Sequence, residues 1–195
     1  AAGVAKAAAT VEAGSVVIVA PDGAEAEVPA ALVEGFRLGA YRYDDFRTGD
    51  RPPTATLALA AGDGHAEAVR AADLRAEATN WARDLVNTPP DAKMPAALAD
   101  RIAARVKGTG LTCRIWDEGE IAEHEMGGLL GVNRGSLDPA RFVILEWAPE
   151  GHAADAPVVL VGKTVTYDTG GLSLKPTKNS MDKMKADMGG GAAVA

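Results

Sequence analysis

Four side chains in the last part of the chain have the types and spacing to do chemistry: Lys163, Asp168, Lys175 and Asp187. They lie in VVLVGKTVTYDTGGLSLKPTKNSMDKMKADMGGGAAVA, residues 158–195, a segment interrupted by Gly170–Gly171 and Gly189–Gly190–Gly191. A phosphate-binding loop is the first chemistry to test, because Gly162–Lys163–Thr164 resembles the tail of one. Such a loop needs a further glycine five residues before Gly162 so that backbone amides can wrap an anion. That position is Pro157, and Val165–Thr166–Tyr167 is β-branched and aromatic where a helix should begin, so a nucleotide site is rejected.

A divalent metal explains the combination better. Mn²⁺ and Mg²⁺ prefer carboxylate oxygen, Zn²⁺ accepts oxygen or nitrogen, and a lysine joins only as the neutral amine, its pKa driven down by burial and by the cation. Val158 to Val161 reads as a buried strand with Lys163 at its end. A bend at Asp168, supplied by the glycine pair after it, would let both residues reach one ion, and Asp187 would return to it from the last glycine turn. Residue types alone leave a second account open: a pair of solvated Lys–Asp contacts on a surface loop.

The elements that must position these groups follow from pattern. Ser15–Ala20 predicts a strand closed by the turn Pro21–Asp22–Gly23. Pro29, Leu32 and Phe36 predict a helix to about Ala40, and the aromatic stretch Tyr41–Arg51 is expected to pack as the end of that helix on a neighbour. Thr54–Ala60 is a second strand candidate. Val69, Ala72, Ala76, Trp81 and Leu85 share one face of a long helix from about Ala66 to Val86. Asn87–Thr88–Pro89–Pro90 stops it, and the two prolines predict a stiff, extended connector at a domain boundary.

Beyond the connector, Leu98, Ile102 and Val106 recur at four-residue steps between Pro95 and Gly108, predicting a helix. Leu111–Trp116 alternates as a strand, with Cys113 a small apolar residue on its inner face. Asp117 and Glu120 form an acidic capping pair opening a helix that ends before Met126–Gly127–Gly128. Arg141–Trp147 is another strand. The order of elements predicts an α/β class with a layered sheet. The expected organisation is a partial amino-terminal α/β domain with a linking helix over residues 1–86, then the connector and a truncated catalytic domain over 87–195.

A net charge of −7 over 195 residues offers no basic footprint, so no nucleic acid partner is expected. No apolar run is long enough to span a bilayer, and the start AAGVAKAAAT lacks the order of a secretory signal, so no membrane association is expected either. One cysteine permits no disulfide framework, which fits a reducing, cytoplasmic location. His65, His124 and His152 have no partner at metal-ligand spacing and are expected to face solvent.

The block VGKTVTYDTGGLSLKP followed by MDKMKADMGGGAAV resembles the first metal-binding block of the leucine aminopeptidase family, the cytosolic two-metal exopeptidases of family M17. Upstream, EGFRLGAYRYDDFR, ARDLVNTPP, MGGLLGVNRGS and RFVILEW resemble other stretches of that family, so the likeness runs from about Ala31 to Ala195. The resemblance implies a two-domain α/β enzyme that removes amino-terminal, leucine-like residues from peptides, with two divalent ions, Mn²⁺ or Zn²⁺. It implies Lys163, Asp168 and Asp187 as metal ligands, Asp168 between the ions and Asp187 sharing one with Lys163. It implies Lys175 as the catalytic lysine that stabilises the oxyanion, and Met184 as a residue lining the pocket for the first side chain. A hexamer is the family's usual assembly.

Two departures qualify the likeness. Thr164 stands where the family commonly has glycine, and an Asp-x-Glu-x-x-Arg run, which supplies the family's remaining carboxylates and an arginine, does not occur in the 195 residues. Two ions facing only Asp168 and Asp187 keep about two uncompensated positive charges, so this chain alone is expected to be inactive. The alternative expectation is a non-catalytic assembly or interaction module that keeps the fold.

Overall fold

A computed structural model describes residues 1–50, 54–151 and 156–195. The chain forms two compact units, Ala1–Asp84 and Leu85–Ala195. His152 and Arg51 lie outside the described residues.

In the first unit, α1 (Ala2–Thr10) precedes β1 (Ser15–Val19), α2 (Glu27–Gly39), β2 (Thr56–Ala60) and the start of α3 (Ala66–Asn87). The strands are parallel, with Ser15 opposite Thr56 and Val19 opposite Ala60. Parallel neighbours need a long crossover, and α2 lies within it. Pro21–Asp22–Gly23 turns as expected: the Ala24 amide donates to the Pro21 carbonyl and Gly23 takes a φ of 70°. Alanine spacing makes α1 a helix that the pattern of apolar residues did not announce. It buries only Ala5 and Ala8, and packs so closely on α2 that a Cβ at Gly39 would fall 2.6 Å from the Ala2 Cα. Val33 and Phe36 of α2 and Ala72 and Ala76 of α3 are buried. The Tyr41 hydroxyl donates to Asp84 of α3 at 2.9 Å and the Arg83 guanidinium lies 5.4 Å from the Tyr41 ring centre, the expected packing of that aromatic stretch.

In the second unit the connector is extended at Pro89 (φ −56°, ψ 148°) and then makes one 3-10 turn at Pro90–Ala92. It leads into α4 (Pro95–Val106), whose Leu98, Ala99, Ile102 and Val106 are all buried. β3 (Thr112–Trp116) pairs antiparallel with β4 (Phe142–Glu146), Cys113 facing Leu145 and Ile115 facing Val143. Cys113 is half-buried, and burial pushes its thiol pKa up, away from reactivity. Asp117 caps α5 (Glu118–Glu123) through a complete capping box. His124 is solvent-exposed as expected, and its ring lies flat on Trp116 with ring centres 4.0 Å apart.

One helix was missed and two expectations are corrected. α5 ends before Met126–Gly127–Gly128 as expected, but those glycines then open a further helix that was not foreseen, α6 (Gly127–Asn133). The glycines at 189–191 form no turn but begin α7 (Gly189–Val194). Val158–Val161 is not a buried strand: its residues are 68–90% exposed and no described strand pairs with it. A strand exists only through its ladder partner, and a β-branched run carries the same pattern whether or not one is supplied.

Candidate metal centre

Two backbone segments meet at the site through glycine. The Gly191 amide donates to the Lys163 carbonyl at 2.7 Å. A Cβ at Gly162 would lie 2.5 Å from the Gly190 carbonyl oxygen, and one at Gly191 would run into the Thr164 hydroxyl. No side chain fits at either glycine, and their absence lets the Lys163 segment lie directly on the first turn of α7. Asp187 ends a 3-10 turn (Met181–Ala186) immediately before α7, its amide donating to the Met184 carbonyl at 3.1 Å. The contact therefore sets Lys163 beside Asp187: Nζ and Oδ2 are 2.7 Å apart.

The second pair is built by the glycine bend. Asp168 Oδ1 accepts from the Gly170 amide at 2.8 Å, a local turn that orients the carboxylate. Gly170 and Gly171 have φ of 93° and 77°, a region glycine enters without Cβ strain. The loop closes where the Lys175 amide donates to the Thr169 carbonyl at 2.9 Å, which returns the Lys175 side chain to Asp168. Its Nζ donates to Asp168 Oδ2 at 2.7 Å and reaches Met184 Sδ at 2.9 Å.

The five residues singled out from the sequence fall into two contacting sets, Lys163 with Asp187 and Lys175 with Asp168 and Met184, and the Asp168 charge is felt at Lys163. The Lys175 ammonium, then the Gly170 amide, holds the Asp168 carboxyl below its ordinary range. The Lys163 side chain is 59% exposed, and the contact with Asp187, followed by the charges of Asp187 and Asp168, raises its pKa. The amine holds its proton because the nearest charges are carboxylates.

The donor set fits a divalent ion in kind, with two carboxylates and an amine. Asp187 Oδ2 is enclosed, with the Lys163 ammonium 2.7 Å away. The cation facing that enclosed oxygen is the Lys163 ammonium. Among the described residues no group of three or more His, Cys, Asp or Glu side chains gathers. No helix among them is long and apolar enough to cross a membrane.

One polar residue of this unit escaped sequence reasoning. Lys93, in the connector, is fully buried and donates to the carbonyls of Leu85, Val86 and Lys185 at 2.8, 3.0 and 2.7 Å. Nothing in its spacing marks it, since a single lysine between Asp91 and Pro95 reads as a solvated connector residue.

Comparison with known proteins bears on the whole chain. Residues 80–195 match the model of the catalytic domain of the cytosol aminopeptidase family, and residues 1–50 match that family's N-terminal domain. A probable cytosol aminopeptidase of Geotalea uraniireducens (strain Rf4) is 44% identical over 180 residues, covering 87% of this chain and 35% of the relative. One from Nocardia farcinica (strain IFM 10152) is 42% identical over 85% of this chain and 33% of its own length. The chain spans about a third of the length of the curated relatives it matches. Among solved structures, the bottromycin maturation enzyme BotP in complex with Mn is 38% identical with a TM-score of 0.80, over 99% of this chain and 42% of that one. A mutant of tomato leucine aminopeptidase is 26% identical with a TM-score of 0.82, over 99% and 39%. The α/β architecture and the matched models agree: the chain belongs to the cytosol aminopeptidase family.

Proposed function

We propose that this protein removes amino-terminal residues from peptides, with leucine-like first residues preferred, by hydrolysis that depends on two divalent metal ions, Mn²⁺ or Zn²⁺. The observation that carries the reading is the pairing of Lys163 with Asp187 and of Lys175 with Asp168 and Met184, the Asp168 charge being felt at Lys163 and an enclosed Asp187 oxygen lying 2.7 Å from the Lys163 ammonium. Family membership and the manganese complex of the BotP neighbour support it. The two units are read as the amino-terminal and catalytic domains.

Lys163, Asp168 and Asp187 are the residues that would hold metal. When bound, divalent ions supply a water of lowered pKa and polarise the scissile carbonyl. The Gly170 amide keeps Asp168 turned toward Lys175. Lys163 would hold a metal only as the neutral amine, so its Nζ would release a proton on binding one. Lys175 is the catalytic lysine: its fixed positive charge stabilises the oxyanion that develops on the scissile carbonyl. The Met184 thioether beside it offers an apolar, deformable wall for the first side chain.

A cytoplasmic site of action and a homo-oligomer, a hexamer by resemblance, complete the reading; the sedimentation of the full-length protein tests the latter. The decisive assay adds Mn²⁺ or Zn²⁺ to the full-length protein with leucine amide. Release of leucine that Lys175→Ala abolishes is expected. Release that survives Lys175→Ala unchanged overturns the mechanism, and no release with either metal replaces it with a non-catalytic module.

A further inference from the structure

We propose that Lys93 is a positioning residue of this site: its ammonium fastens the turn that carries Met184 and Asp187 to the end of α3, so that Asp187 is held where it can bind metal. The inference rests on the reading of Asp187 as a ligand.

The Lys93 side chain has no solvent exposure, and its three N–H protons meet three acceptors. Two are the carbonyls of Leu85 and Val86, in the last turn of α3, where helix geometry leaves carbonyls without intrahelical partners and where a cation is favoured by the helix dipole. The third is the carbonyl of Lys185, 92 residues away in sequence and two before Asp187. That oxygen belongs to the 3-10 turn that also bears Met184.

A helix end alone does not require a buried ammonium. Solvent or a glycine cap satisfies the same carbonyls without the cost of desolvating a charge. The three-donor head of lysine does what those alternatives do not: it joins carbonyls from two separate segments at one point. An apolar residue would strand all three oxygens. Lys185 adds a weaker tie of its own, its Nζ lying 3.5 Å from the Asn87 carbonyl. Together with the Gly191 amide on the Lys163 carbonyl, this fixes the turn on both sides of Asp187. Burial, then the Lys185 and Arg101 cations, lowers the Lys93 pKa to about 8, so at neutral pH most of the group carries the third proton the arrangement uses.

The test is a double-mutant cycle in the full-length protein, read by calorimetric titration with Zn²⁺ or Mn²⁺ and by amide hydrogen exchange. Lys93→Met should weaken metal binding about tenfold or more, as the loss of groups that orient ligands does. In an Asp187→Asn background the same substitution should cost nothing further, because the residue it positions no longer binds. Exchange should quicken at residues 181–191 and stay unchanged in α4. Should Lys93→Met fail to fold, Lys93→Gln, which keeps two donors, enters the same cycle with the same expectations. Metal affinity unchanged by loss of Lys93, an equal loss with and without Asp187, or faster exchange spread evenly through the unit overturns the inference. Absence of metal binding in the wild type overturns the reading of the site itself, a different failure from binding that ignores Lys93.

Discussion

The Gly191 amide donates to the Lys163 carbonyl at 2.7 Å, and the position a Gly191 Cβ would occupy is already filled by the Thr164 hydroxyl. Two backbone segments therefore touch with no side chain between them, and the neighbouring Lys163 and Asp187 meet as a consequence.

Gly191→Ala is expected to destabilise the second unit by about 1–3 kcal/mol, the usual cost of overpacking. Thr164→Gly should recover most of that loss when combined with it, since the clash is with the threonine side chain. Denaturant unfolding of the single and double variants checks this. Equal destabilisation with and without Thr164 would show that the crowding is not where the contact places it.

Asp187→Asn should separate binding from folding. Lys163 is largely exposed, so loss of this ion pair should leave the unfolding midpoint nearly unmoved. Metal affinity should fall at least about tenfold, because a charged ligand is removed. Thermal unfolding and calorimetric titration on the same samples give both values, and an unmoved affinity excludes Asp187 as a ligand.

Lys93 predicts a dependence of stability on pH. Its folded pKa of about 8 lies below the ordinary 10.5. Between those values the unfolded chain binds more protons than the folded one, so stability rises with pH across the window. The penalty is fully present below about pH 8 and is relieved towards 10.5. Unfolding free energies of wild type and Lys93→Met at pH 7, 9 and 10 should diverge in favour of the wild type as pH increases. A constant difference contradicts the shift.

The capping box gives a control remote from the metal ligands. The Glu120 amide donates to Asp117 Oδ1 at 3.0 Å and the Asp117 amide to Glu120 Oε2 at 3.1 Å. Asp117→Ala should cost about 1 kcal/mol and Asp117→Ser much less, measured by denaturant unfolding. Neither should change metal affinity.

Local chemistry was legible where neighbouring residues decide the conformation. Pro95, the four-residue steps of Leu98, Ile102 and Val106, and the Asp117–Glu120 pair placed their helices because capping and periodicity act within a few residues. The bend after Asp168 was legible for the same reason, as only glycine enters positive φ without strain. Other glycines misled. Those at 189–191 read as turn-forming, yet what matters at Gly191, and at Gly162, is the missing Cβ, which permits close backbone approach.

By itself the sequence determined the residue types of the site, their spacing and the family likeness, since these are properties of the covalent chain. Tertiary structure decided the pairing of Lys163 with Asp187 and of Lys175 with Asp168, the exposed state of Val158–Val161, and the burial of Lys93. Each depends on a partner distant in sequence: a glycine amide for Lys163, a ladder strand that no described residue supplies for Val158–Val161, and a carbonyl 92 residues away for Lys93. Hydrogen bonds and steric exclusion act over a few ångströms of space, and no pattern along the chain records which segments will come that close.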